Sequence, residues 1–297
     1  MNSGRENSAF IPQMTLAAEA RLSGVALHSG TTCEVRLRPA PADRGVVFLK
    51  PAQCGAPEFS EIPAHVNSVI DTRLCTRLGA GAHSIATVEH LLAAASILGV
   101  DNMFVEADAD ELPIFDGSAA AYVDAISGAG LSACSAPRRE LRISGRLVLE
   151  DGASSIIAEP FDGREIDISI DYPDTAIGAC RTRLDLDDPS TVSRLAAART
   201  FCRLSDIEAM RGAGLALGGS LENAVVVDGA RILNEEGLRD PQEFALHKAL
   251  DLVGDLHLAG ARIIGRIRAV RPGHEFNARF VRALVERYDG REGRGRN

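Results

Sequence analysis

The chain has 297 residues, 45% hydrophobic and 25% charged, the composition of a globular protein with room for one large domain or two of about 150 residues, and not of a collagen-like, coiled-coil or disordered chain. Its 32 Lys and Arg stand against 41 Asp and Glu, a net charge of -9, with no Trp and few aromatics; a phosphate-tracking surface for nucleic acid is not expected from that balance. All but two of the cations are Arg, the two lysines being Lys50 and Lys248.

The opening MNSGRENSAFIPQM is polar and has no apolar h-region, so no signal peptide is expected. Between Thr15 and Leu49 the text alternates as strands do (EVRLRP, GVVFLK), with turns at HSGT and PADRG. From Ser84 the pattern turns helical, with Thr87 as the expected N-cap, Glu89 in the first turn and Gly99 as the stop. The apolar run LLAAASILGV within this helix is about half the ~20 residues needed to span a bilayer. A strand NMFVEAD and a second helix in AAAYVDAISGAG follow, and the loop SACSAPRRE suggests a domain boundary near Pro137.

The second half reopens with strands (LRISGRLVLE, SSIIAEPF, EIDISIDYP), then a helix expected over 192–211, the Gly-rich GAGLALGGS and a strand AVVVDG. A long helix starts at Asp240-Pro241-Gln242-Glu243, read as N-cap, first-position Pro and the Glu of a capping box, and stops at Gly260 before the strand ARIIGRIRAV. The stretch from Gly24 echoes the stretch from Gly214, and each half has a His-bearing helix followed by Gly and a strand; together these suggest two copies of one α+β unit. Six widely spaced cysteines (33, 54, 75, 134, 180, 202) form no C-x-x-C pair and read as reduced thiols of a cytoplasmic protein.

The long helix is apolar around most of its circumference, yet His247, Asp251 and Asp255 fall at i, i+4 and i+8 on one face. Buried polar groups need partners, and His247 with Asp251 suits two ligands of one metal ion. Glu89-His90 opens the equally apolar helix of the first half. His90, His247 and Asp251 make a set of two imidazoles and a carboxylate that leaves coordination positions open, and Glu89 beside it is placed to take a proton from water. No H-E-x-x-H is present. His28, His65, His83 and His257 are taken as structural or surface residues.

The segments TVEHLLAA, DNMFVEADADELPIFDGSAA, ARTFCRLSDIEAMRGAGLALGGSLENAVVV, NEEGLRDPQEFALHKALDLVGDLHLAG and RPGHEFN closely resemble the UDP-3-O-acyl-N-acetylglucosamine deacetylases, the zinc enzymes of lipid A biosynthesis in Gram-negative bacteria. The opening GVALHSGTTCEVRLRPAPADRGVVF is similar to that family too, so the resemblance covers nearly the whole chain. It implies an α+β fold of two similar domains, 1–136 and 137–297, each a β-sheet with two α-helices, packed helix layer to helix layer with the site between them. It further implies zinc on His90, His247 and Asp251, Glu89 as general base, His274 as general acid, Asp255 as the carboxylate orienting it, and Thr200 as an oxyanion donor. Lys248 and Arg271 would face the substrate diphosphate and Phe201 the rest of the substrate; Arg271 stands where the family pattern has Lys, which keeps the charge and changes the hydrogen-bond geometry. The residues around Ile170 to Tyr172 and the polar tail match the pattern least. A UDP-sugar acyl substrate implies an apolar passage, which the text does not locate, and peripheral contact with the inner membrane; a monomer is the default expectation.

Two other readings use the same residues. Two His and a carboxylate also hold Fe(II) in oxygenases, although no H-x-D occurs here. A sugar-nucleotide-binding module with a structural His/Asp seam would bind without releasing acetate.

Overall fold

The computed structural model describes residues 10–51 and 59–288; the leader before them, Cys54 and the tail after Tyr288 lie outside the described residues. Within them the chain forms several β-sheets and six α-helices: α1 (Glu89–Leu98), α2 (Ala120–Ala129), α3 (Pro189–Ala196), α4 (Leu204–Gly212), α5 (Glu243–His257) and α6 (His274–Tyr288). The α+β expectation is met.

Alternation makes the strands. In Thr32–Pro39 the residues Cys33, Val35 and Leu37 turn inward and Glu34, Arg36 and Arg38 outward. This strand belongs to a five-stranded sheet in the spatial order Ala20–Val25, Thr32–Pro39, Met103–Ala107, Val46–Pro51, Phe59–Pro63. A second sheet runs Leu147–Asp151, Ser154–Glu159, Arg262–Val270, Arg164–Tyr172, Gly178–Asp185, with Glu140–Arg142 added beside Arg262–Val270. Both use the same order, with the last strand in sequence inserted at the centre, antiparallel to one neighbour and parallel to the other. In both, that central strand follows a helix and a left-handed glycine, Gly99 at φ 74° after α1 and Gly260 at φ 67° after α5.

The internal echo therefore lies in topology, in a register different from the one the text suggested. The stretch after Gly24 leads into the first five-stranded sheet, whereas the stretch after Gly214 leads into a small separate sheet containing Val225–Asp228. The two stretches pack on each other: the Leu217 and Gly218 N–H groups donate to the His28 and Leu27 carbonyls at 3.0 Å.

α1 and α5 are in direct contact at backbone distance. A Cβ on Gly254 would sit 2.1 Å from the Glu89 carbonyl oxygen, so only glycine allows the approach. Every residue of α1 from Glu89 to Ala95 is buried, as is every residue of α5 from Glu243 to Leu256 except Lys248. Leu91, Leu92, Leu246, Leu250 and Leu252 are wholly buried, each contributing roughly 2 kcal/mol by removal from water.

Four local expectations change. Thr87 does not cap α1: Val88 stands at the N-cap, and Thr87, at φ 58°, donates its hydroxyl to Glu111 at 3.1 Å. The single helix expected over 192–211 is two helices separated by the strand Phe201–Arg203. Its backbone is claimed from outside, the Thr200 N–H by the Gly117 carbonyl and the Arg199 N–H by Glu243. α5 begins at Glu243 rather than Pro241. Asp240 accepts from the Gln242 N–H at 2.8 Å, while Glu243 holds buried Arg199 instead of closing a capping box. Among the described residues after Pro137 there are four helices, not two.

Candidate metal centre and active site

The backbone contact at Gly254 brings the start of α1 against the polar face of α5. His90, His247 and Asp251, all buried, each offer a ligand atom within 4.8 Å of the others. The two imidazole centroids are 5.3 Å apart. Each Nδ1 is placed on a backbone carbonyl, His90 on Ser118 at 3.2 Å and His247 on Ala198 at 3.1 Å. With Nδ1–H donating there, each Nε2 keeps a lone pair, and that of His247 lies 3.3 Å from Asp251 Oδ1. Carbonyl-anchored imidazoles facing a carboxylate are what a divalent ion of N/O preference requires, and the residues present fit such an ion.

The protonation states agree. Burial holds both imidazoles below their ordinary value, His247 down to about 4, so both are neutral ligands. For Asp251, burial alone would raise the pKa, but the adjacent His247 ring and the Lys248 ammonium outweigh it and hold it well below the carboxylate range.

Glu89, 3% exposed, is pushed up to about 7, chiefly by burial and further by Asp255 and Asp251, with His274 opposing. Its Oε2 accepts the Thr76 N–H at 3.0 Å, and its Oε1 lies 3.8 Å from His274 Nε2. His274 opens α6. Burial would lower its pKa, but Asp255 and Glu89 raise it to about 9. Its Nδ1 is 2.9 Å from Asp255 Oδ2, which also accepts from Asn277 Nδ2 at 2.9 Å. Asp255 Oδ1 takes the Thr76 hydroxyl at 2.6 Å. An ionisable carboxylate and a protonated imidazole thus face each other beside the metal-ligand set.

A cavity of about 800 Å³ opens onto these groups, and all the expected site residues except Asp255, which lies behind His274, line it. Thr200 is fixed by backbone bonds to Gly117 and Val225. Phe201 packs edge-on against His247, Phe244 and Tyr172. Lys248 Nζ bonds Asp251 Oδ2 at 2.8 Å and sits 5.4 Å from the Phe201 ring centre. Arg271, at φ 49°, donates to Asp171 at 3.1 Å. The apolar wall comes from α4 and the small sheet beside it, including Leu204, Ile207, Met210 and Val226.

Three participants carry no sequence signal. Thr76 is one. His28, expected as a structural or surface residue, is another: it lines the cavity buried, its Nδ1 accepting the Ala216 N–H at 3.3 Å and its Nε2 without a partner. Arg199, 2% exposed, bonds Glu243, Glu236 and the Gly237 carbonyl immediately before Thr200. The nearest text to a signal is an Arg inside an otherwise apolar stretch.

Residues 13–286 match the family of UDP-3-O-acyl N-acetylglycosamine deacetylases. A protein of Teredinibacter turnerae named UDP-3-O-acyl-N-acetylglucosamine deacetylase is 43% identical over 95% of this chain and 93% of its own. Proteins of the same name from Acidithiobacillus ferrooxidans and Phenylobacterium zucineum are 42% and 43% identical, over 95% and 93% of this chain and 93% and 94% of theirs. Matching over nearly its full length and carrying a buried His/His/Asp group at the helix contact, the chain belongs to the UDP-3-O-acyl N-acetylglycosamine deacetylase family.

Proposed function

We propose that this chain hydrolyses the N-acetyl group of UDP-3-O-(3-hydroxyacyl)-N-acetylglucosamine in lipid A biosynthesis, releasing acetate and the free amine, with zinc held by His90, His247 and Asp251. The observation that carries this reading is the pairing of Glu89 and His274 beside two carbonyl-anchored imidazoles and Asp251 in one cavity.

Held by His90, His247 and Asp251, a zinc ion would supply Lewis acidity at this site. Glu89, its Oε2 held by Thr76, offers Oε1 as the base that takes the proton of the attacking water. The Thr200 hydroxyl donates to the carbonyl oxygen as its charge grows. An amine leaves poorly unless protonated; His274 gives the proton from Nε2, and Asp255 at Nδ1 holds the imidazolium in place. Lys248, on the cavity wall beside Phe201, faces the substrate diphosphate, with Arg271 on the same wall. Phe201 supports His247 and offers its remaining face to the substrate.

The apolar wall of α4 takes the acyl chain, and the exposed Leu204, Leu217 and Leu221 beside it suit a monomer meeting its substrate at the cytoplasmic face of the inner membrane. No helix among the described residues is long and apolar enough to cross a membrane. The same reading divides the chain into units 1–136 and 137–297 with helices between the sheets; its support is that neither five-stranded order mixes strands from the two sides and that α1 and α5 touch.

The test is acetate release from the acylated UDP-sugar by purified protein, with and without chelator, alongside metal analysis. Acetate released, abolished by chelator and restored by zinc, supports the reading. Tight binding without acetate favours the binding module, and iron content with O₂ dependence favours the oxygenase.

A further inference from the structure

Thr76 lies directly before the strand Arg77–Ala80 and is 1% exposed. Two of its groups bond the two sides of the reaction. Its main-chain N–H donates to Glu89 Oε2 at 3.0 Å, and its hydroxyl donates to Asp255 Oδ1 at 2.6 Å. The same hydroxyl oxygen is 3.2 Å from His274 Nδ1. A hydroxyl has one proton. The 2.6 Å contact to a carboxylate takes it, so toward His274 the oxygen can only accept, and the imidazole must carry its proton on Nδ1. That proton also faces Asp255 Oδ2 at 2.9 Å, which leaves Nε2 turned toward Glu89 Oε1.

We propose that Thr76 is a positioning residue for this reaction, tying base and acid to one point. Its amide fixes the plane of Glu89, and its hydroxyl, through Asp255, fixes the tautomer and the plane of His274. The terminal torsion of an Asp side chain is soft, and Asn277 and His274 both bond the same oxygen, Oδ2. The Thr76 hydroxyl on Oδ1 is the contact that stops the carboxylate from turning and carrying the imidazole with it. Sequence separations of 179 and 198 residues to Asp255 and His274 show that the contact depends on the assembled fold.

This inference rests on the deacetylase reading, so acetate release by the wild-type protein is measured first; its absence sinks that reading before any variant is made. Thr76→Val keeps the shape and the amide but removes the hydroxyl. Its kcat is expected to fall by about 10 to 100-fold, part of what general acid catalysis contributes, with KM within about twofold and metal content per chain unchanged. Thr76→Ala, which sets no methyl against the carboxylate, is expected to fall equally. Thr76→Ser restores the hydroxyl and should retain kcat within about threefold. In an Asp255→Asn background, where the group acted through is already altered, Thr76→Val should cost about twofold or less. Three results overturn the proposal: a Thr76→Val or Thr76→Ala enzyme with wild-type kcat, a Thr76→Ser enzyme as slow as Thr76→Val, or a full additional loss in the Asp255→Asn background.

Discussion

Glu89 Oε1 and His274 Nε2 stand 3.8 Å apart; burial pushes Glu89 up to about 7, while the carboxylates of Asp255 and Glu89 outweigh burial and raise His274 to about 9. The pair is competent with Glu89 ionised and His274 protonated, which is the window between those two values. Activity should fall below about pH 7 as the carboxylate takes a proton and above about pH 9 as the imidazole loses one, the two limbs belonging to the coupled pair. A His274→Gln enzyme, slowed by orders of magnitude, should lack the alkaline limb; a pH profile that keeps it in that variant speaks against the assignment. Glu89→Ala should also lose orders of magnitude in kcat while keeping metal, whereas His247→Ala should lose the metal itself, which atomic absorption reads directly.

Individual residues differ in how far the text exposed them. His247, Asp251 and Asp255 were legible from spacing, because a helix makes i, i+4 and i+8 neighbours whatever else the chain does. His90 was legible as a polar residue opening an apolar helix. The roles of His274, Lys248, Arg271, Thr200 and Phe201 came only through resemblance. Thr76 and His28 sit next to a strand and in a turn, where no period marks a functional side chain, and their partners lie far along the chain.

At the level of elements, the site depends on two helices meeting at a glycine. Gly254 has no room for a methyl group because the Glu89 carbonyl occupies it. Gly254→Ala must push α5 from α1 at the place where Glu89 and His90 face Asp251 and Asp255. Overpacking of this kind costs about 1–3 kcal/mol, so a lower melting temperature and weaker metal retention are expected together. An alanine variant that melts lower yet binds metal normally would separate the helix contact from the ligand geometry. Elements were legible where one period ran undisturbed, as in Thr32–Pro39 and the middle of α5. The helical pattern over 192–211 hides a break made by Gly117 and Glu243, residues remote in sequence whose pull on the backbone leaves no trace in a window of text.

Across the whole molecule, the face of α5 that carries Val253, Leu256 and His257 borders a second cavity of about 380 Å³, walled also by Arg138, Arg164 and Arg262. Burial, and then the charge of Arg164, hold His257 down to about 4 from an ordinary 6.5. The unfolded chain therefore binds a proton that the folded chain refuses. Stability that is full above pH 6.5 should decline as pH falls toward 4, by on the order of 2 kcal/mol from this group. Urea midpoints at pH 7 and pH 5 measure it, and His257→Asn should show a smaller drop between them; an equal drop would assign the acid sensitivity elsewhere.

The proposed ligands come from both sides of Pro137, His90 from α1 and His247 with Asp251 from α5. An ion shared by them fastens one part of the chain to the other, so occupancy and lifetime become linked quantities. At a thousandfold excess of metal over its dissociation constant the folded state gains about 4 kcal/mol, and every local opening that parts α1 from α5 is suppressed by that amount. Chelated protein should be cut faster by an added protease than metal-loaded protein, at equal concentration and without any substrate present. Metal supply would then govern how long each copy survives as well as how fast it works.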